Sequence, residues 1–389
     1  MNKKVFVGFF LVIIFSIFLF VPIKEVLIHL NVLNFYKTDN WKIIPKSNDP
    51  IYDKIESLKA NLENRYNNYF PFYVDINSYF YKSVIKIDSL FNNDIYLKDN
   101  NDLDHIFYDK KNNFFYLVNN YSKEEIENRL NEQAAFYNDI KRKYPSVSLS
   151  LYVPLRLEST SFKNINHNND YINRFLSLLD NNINYKTFDS NSLDQYLKYF
   201  YKSDHHYNSY GAERAFLDIL DMFGFENNTK ITHKTVKDEY CGSMAKSTLL
   251  KLSCDKLTVM DVPNNFKVIG GDKDFKPLTF EVKENPFYDY YVKYFNGAYD
   301  EIIYESNNNY NRNLLIIGDS MAWQIDYLLA NYFDKTYIVN TKYGKWINND
   351  LYLDSYINDK NITHILFLRE AKNIVFDADN FHVDKKVIR

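Results

Sequence analysis

The segment Leu314-Leu315-Ile316-Ile317-Gly318-Asp319-Ser320 constrains this chain more than any other. It reads as a buried strand that ends in a tight turn and presents a serine. The residues after it alternate: a helix over 321–333, a strand over Lys335–Asn340, a helix over 350–359 and a strand over Thr363–Leu368. That alternation specifies an α/β fold, with a parallel sheet, right-handed crossovers and flanking helices. A serine directly after such a strand sits at the carboxyl edge of the sheet, where open α/β sheets bind ligands. The N–H groups of the following helix would face the same point and favour an oxyanion.

Upstream elements fit the same class. Ile55, Leu58, Leu62, Tyr66, Tyr69 and Phe70 recur at helical spacing, so 54–90 reads as helical with a break at Pro71. Ser122 with Glu125 forms a capping box that opens a helix to about Lys143. Val147–Val153 reads as a buried strand, Asp170–Leu179 as a helix and Tyr185–Phe188 as a short strand. A further helix, capped by Ser209 or Asn208, buries Ala212, Ala215, Phe216, Ile219 and Leu220 and stops at Gly224. Short alternating runs at Lys256–Met260, Leu278–Val282 and Glu301–Tyr304 mark about 230–310 as a β-rich insertion.

The chain has 389 residues and a formal net charge of −3. No basic stripe stands out, which argues against nucleic acid as the main partner. Met1-Asn2-Lys3-Lys4 precedes an uncharged run from Val5 to Val21. That run is at the short end for a membrane span. It is longer than a usual signal-peptide core, and no Ala-x-Ala site follows, so we read 1–24 as a retained transmembrane anchor rather than a cleaved signal. Lys3 and Lys4 stay in the cytoplasm, which places the rest of the chain outside the cell membrane. Residues 25–50 read as a stalk and 51–389 as an extracytoplasmic domain. The two cysteines, Cys241 and Cys254, are free to oxidise there, with two buried thiols as the alternative.

Lys202-Ser203-Asp204-His205-His206-Tyr207 supplies the rest of a chemical set. In an extended segment, residues i and i+2 project to one side. Asp204 can therefore orient one nitrogen of His206 while the other faces Ser320, as in a Ser-His-Asp acyl-transfer site. His205 points the other way. Asp-His-His is also a ligand set of manganese phosphoesterases, but the further Asp motifs those need are missing, so no metal is expected.

Lys202–Ala212 and Ile316–Ser320, with the N-terminal anchor, resemble the DHHW protein family. That family is similar to the alginate O-acetyltransferases, SGNH-hydrolase-like proteins with permuted motif order. Glu63–Phe72, Tyr240-Cys241-Gly242-Ser243 and Asp255-Lys256-Leu257 extend the likeness, which runs from about 60 to 370. It implies Ser320 as nucleophile, His206 as base and Asp204 as orienting carboxylate. Tyr207 stands where the family has Trp, and Met321 where an aromatic is common. The superfamily's oxyanion hole uses a glycine N–H and an asparagine side chain. Asn296-Gly297 is the best match here, Asn340 is a rival, and the N–H of Ser320 or Met321 would contribute. The implied activity is O-acetylation of a cell-surface polysaccharide without a bound cofactor. A multispanning membrane acyltransferase would be the partner that supplies the acyl group. A carbohydrate esterase and a non-catalytic polysaccharide-binding or assembly protein are the alternatives.

Overall fold

A computed structural model describes residues 73–100, 104–119, 122–165, 168–263, 265–271, 287–295, 299–340, 351–376 and 381–382. The anchor at 1–24, the stalk at 25–50 and the first part of the helix expected over 54–90 lie outside them. Among the described residues, no helix is long and apolar enough to cross a membrane.

Helix α1 (Tyr73–Asp88) leads into a three-stranded antiparallel meander of β1 (Asp94–Asn100), β2 (Asp104–Asp109) and β3 (Phe114–Asn119). Helix α2 (Lys123–Lys143) opens on the expected capping box, with the Ser122 side chain accepting from the Glu125 N–H and Glu125 accepting from the Ser122 N–H. Then come β4 (Ser148–Pro154), α3 (Asn168–Ser177), β5 (Asn184–Phe188), α4 (Leu193–Tyr199) and α5 (Ser209–Phe223). Asn208 caps α5 by accepting from the N–H groups of Tyr210 and Gly211. Gly224 ends it at φ 70°, the left-handed conformation that glycine adopts without strain.

The stretch read as an insertion is divided between two sheets. β6 (Thr232–Tyr240) and β7 (Asp255–Asp261), with α6 (Ser243–Thr248) between them, form an antiparallel pair of their own. β8 (Phe266–Gly271) and β9 (Glu301–Ser306), with α7 (Tyr290–Tyr294) between them, join the central sheet. The run Leu278–Val282 lies outside the described residues.

β10 (Asn313–Gly318) carries the serine turn. α8 (Asp326–Leu329), β11 (Lys335–Asn340), β12 (Leu351–Tyr352), α9 (Leu353–Asp359), β13 (His364–Leu368), α10 (Ala371–Phe376) and β14 (Phe381–His382) complete the order. Among the described residues, the central sheet has seven strands in the order β5-β4-β13-β10-β11-β9-β8. The first five run parallel, and β9 and β8 add an antiparallel edge. The sheet is therefore mixed rather than wholly parallel.

Alternation along the strands sends side chains into two cores. Leu314, Ile316, Ile338, Leu366 and Leu368 pack with α5 on one face. Leu315, Ile317, Val339, Ile365 and Phe367 pack with α2, α3, α9 and α10 on the other. Covering both faces explains why β10 reads as a continuous apolar run.

The helix expected over 321–333 is broken into a 3-10 turn (Ala322–Gln324), the four residues of α8 and a second 3-10 turn (Ala330–Tyr332). Side chains compete for its backbone. Asp319 Oδ1 accepts from the Met321 N–H at 2.9 Å, and Asp326 Oδ1 accepts from the Tyr327 N–H at 2.6 Å. Without a long helix at this turn, the macrodipole expected to support an oxyanion is missing.

Cys241 and Cys254 form a disulfide across 13 residues. The register pairs Tyr240 with Asp255, which sets the next residue of one strand opposite the preceding residue of the other. Replacing both cysteines by serine is expected to lower stability by about 3 kcal/mol, read as a fall in the denaturation midpoint. An unchanged midpoint would mean that the β6–β7 pairing holds this corner alone.

Candidate active site

The Asp-His-His residues sit at the tip of a tight loop between α4 and α5. The loop is closed by an antiparallel bridge between Phe200 and Tyr207 and by Tyr201 N–H donating to His206 O at 3.2 Å. Asp255 grips one limb, where its Oδ2 accepts from the N–H groups of Lys202 (2.9 Å) and Ser203 (3.0 Å) and from the Ser203 hydroxyl (2.9 Å). Ser203 O in turn accepts from the N–H groups of Met244 and Ala245 at the start of α6.

From this loop a relay reaches the serine turn. His206 Nδ1 lies 2.6 Å from Asp204 Oδ1, and His206 Nε2 lies 2.7 Å from Ser320 Oγ. Asp204 and His206 are buried, while Ser320 is half-buried at the carboxyl end of β10. The three side chains read from the sequence as one set are thus brought together with proton-transfer geometry. A carboxylate only accepts, so His206 carries its proton on Nδ1 and presents the Nε2 lone pair to the serine hydroxyl.

Several side chains fix this arrangement. Asp204 also accepts from the Ser243 N–H (2.8 Å), the Ser243 hydroxyl (3.1 Å) and the Tyr240 hydroxyl. Burial pushes its carboxyl up, but the His206 imidazole and the Tyr240 hydroxyl outweigh this and hold it well below the usual range. The His206 ring stacks on Tyr291 with centroids 4.0 Å apart, and the Tyr291 hydroxyl donates to Ser320 O at 3.1 Å. The Tyr207 hydroxyl donates to Met321 O, and Gln324 Nε2 donates to Tyr207 O at 2.6 Å. Tyr207, standing in place of Trp, thereby ties the histidine loop to the serine turn. Asp319 Oδ2 accepts from Glu370 N–H (3.0 Å) and Asn373 Nδ2 (2.5 Å), which anchors the same turn to the end of β13.

Gly242 is required by a close approach. A Cβ there would lie 2.3 Å from Asp204 Cβ and 2.5 Å from Asp204 Oδ2. Gly242→Ala is expected to cost about 1–3 kcal/mol of stability through overpacking. The displaced group is the Asp204 carboxylate, so kcat should also fall, with little change in KM. A variant with normal kcat would show that the carboxylate's position is not critical.

Of the expected oxyanion donors, the described residues bear on Met321 and Ser320. Met321 is fully buried and its N–H is engaged by Asp319, so it is not available as a donor. The Ser320 N–H has no hydrogen-bond partner among the described residues. Asn340 is buried opposite Gly318 in the β10–β11 register, at the same sheet edge. Asn296 and Gly297 lie outside the described residues. Atoms of Asp204, His205 and His206 fall within 4.8 Å of one another, a spacing that metal ligands also have. Both His206 nitrogens and the Asp204 oxygens are already engaged, which suits a proton relay better than a cation.

A charged cluster adjoins the site. Glu370, just after β13, accepts from Arg156 at 2.5 Å, and Asp104 accepts from Arg156 (3.0 Å) and Lys372 (2.9 Å). These bonds join the meander to the carboxyl ends of β4 and β13. Sequence reasoning missed Tyr291 and Glu370. Tyr240, Ser243 and Asp255 were visible only as part of a family-like block, without a role.

No protein-family model and no curated protein matches the chain. Its fold, however, is shared by solved structures. A DHHW family protein from Eubacterium siraeum is 18% identical and superposes with a TM-score of 0.53 over 70% of this chain and 92% of its own. Bacillus cereus PatB1, in a structure with a sulfonyl adduct, is 20% identical with a TM-score of 0.55, covering 71% of this chain and 97% of its own. The O-acetyltransferase domain of Pseudomonas putida AlgJ is 12% identical over 68% of this chain and 91% of its own. Its TM-score is 0.41. At these identities the likeness is one of fold: a mixed α/β protein with helices on both sides of its central sheet.

Proposed function

We propose that this chain is an O-acyltransferase that moves an acetyl group onto a hydroxyl of a cell-surface polysaccharide through an acyl-serine. The observation that carries this reading is the continuous relay Asp204–His206–Ser320, with contacts of 2.6 Å and 2.7 Å. Ser320 Oγ attacks the acyl carbon and its proton passes to His206 Nε2. His206 returns that proton to the leaving group as the tetrahedral intermediate collapses. A sugar hydroxyl then attacks the acyl-serine and gives its proton to Nε2, and Ser320 Oγ leaves and recovers it. Asp204 holds the tautomer and balances the imidazolium. Atoms balance without a cofactor.

The Ser320 N–H is the oxyanion donor we assign. The Asn296 side chain and the Gly297 N–H, outside the described residues, are the further donors that the family resemblance implies. The sulfonyl adduct on PatB1 fits a fold that presents a reactive nucleophile. The anchor at 1–24 would place the domain outside the cell membrane, beside a multispanning acyltransferase that supplies the acyl group.

The test is the O-acetyl content of the host cell's surface polysaccharide when Ser320→Ala replaces the native chain. A fall is expected. A rise would identify an esterase, and no change would identify a binding or assembly protein.

A further inference from the structure

His205 takes no part in the relay, yet its surroundings are specific. Its Nδ1 lies 2.9 Å from Ser243 Oγ and 3.3 Å from Asp204 Oδ1. Nδ1 also faces the Asp204 carboxylate, which only accepts, and a lone pair there would be repelled, so we place the ring proton on Nδ1. Burial and the adjacent His206 push His205 down to about 4, so the ring is neutral near pH 7. Its Nε2 is therefore a lone pair, without a hydrogen-bond partner among the described residues.

Nε2 faces Glu370 Oε1 at 3.9 Å. That oxygen is buried and has no hydrogen-bond partner among the described residues. Arg156 binds only the other oxygen, Oε2, and keeps Glu370 ionised. Two acceptors thus face each other at a distance that fits no direct bond, beside an imidazole whose neighbour 3.9 Å away is the catalytic ring. The His205 side chain is 22% exposed and its ring adjoins the His206 ring, while the Glu370 oxygen behind it is buried. Only a hydrogen-bond donor fits there, and an anion would be repelled by Glu370.

We propose that His205 Nε2, backed by Glu370 Oε1, is a seat for the acyl acceptor. It takes a hydroxyl or ammonium group on the sugar next to the hydroxyl being acylated. This rests on the transferase reading and adds the acceptor's chemistry to it: a neutral or amino sugar, oriented by a donor group. Acylation of Ser320 does not use this seat; transfer does.

The full chain in detergent is given 4-nitrophenyl acetate with and without cellotetraose. Two quantities are read for each variant: the rate of acetyl-Ser320 formation and the ratio of acetylated cellotetraose to free acetate. His205→Asn keeps a donor where Nδ1 meets Ser243 but removes the outer acceptor. Its acylation rate should stay near wild type while the transfer ratio falls about tenfold, the scale of one hydrogen bond. His205→Gln places an amide oxygen near the Nε2 position and should recover part of the ratio. A wild-type ratio in His205→Asn overturns the proposal. So does a parallel loss of acylation and transfer, which would make His205 a support for Asp204. If the wild-type chain acylates but never transfers, the transferase reading itself fails, and this seat with it.

Discussion

Ser320→Ala is expected to lower turnover of an activated acetyl ester by about 10⁴-fold or more and to abolish any covalent acyl-protein. Alanine removes the atom that attacks and leaves the rest of the site intact. The turn should survive, because its hydrogen bonds run through Asp319, Met321 and the Ser320 carbonyl rather than through the serine hydroxyl. His206→Ala should be nearly as damaging, and the double variant hardly worse than either, since the two act as one unit. Stopped-flow rates with a denaturation midpoint for each variant would check this. Additive losses would contradict a shared relay.

Asp204→Asn should reduce kcat by about 10⁴-fold with KM little changed. The Asp204 carboxylate accepts from His206 Nδ1, the Ser243 N–H, the Ser243 hydroxyl and the Tyr240 hydroxyl. An amide cannot accept on both sides. Turning its oxygen toward Ser243 and Tyr240 presents –NH₂ to His206, which forces the proton to Nε2 and removes the base from Ser320. Turning it the other way leaves a donor facing donors, at a cost of about 1–3 kcal/mol. Either orientation is harmful, so kcat and stability together locate the damage. A variant within tenfold of wild type would mean that His206 is oriented by something else.

The parts of this protein that were legible from sequence are those fixed by local rules. β10 is marked by its apolar run, α2 by the Ser122–Glu125 box, and α5 by its apolar stripe and Gly224. The pairing of Asp204 with His206 is also local, since residues two apart share a side of an extended segment. The illegible parts depend on distant contacts. Tyr240 and Ser243 reach Asp204 from 36 and 39 residues away, and Glu370 faces His205 only because β13 lies beside β10. The meander at β1–β3 is illegible locally because β1 and β2 hold only three-residue apolar runs and the run Phe114–Val118 of β3 has no period that separates strand from helix; its inner positions, Ile95, Leu97, Ile106 and Tyr108, are completed by Cys241, Met244 and Leu250 from across the chain. The break after Ser320 was hidden for a related reason. Apolar residues at helical spacing continue through it, and Asp319 and Asp326 decide the backbone. The disulfide stayed open until the β6–β7 register fixed it.

Intact-mass analysis after mixing the chain with an activated acetyl ester tests the central claim most directly. The account requires one added acetyl group on the wild type, mapping to Ser320 by peptide sequencing, and none on Ser320→Ala or His206→Ala. An acetyl group mapping elsewhere, or one retained by Ser320→Ala, would contradict it.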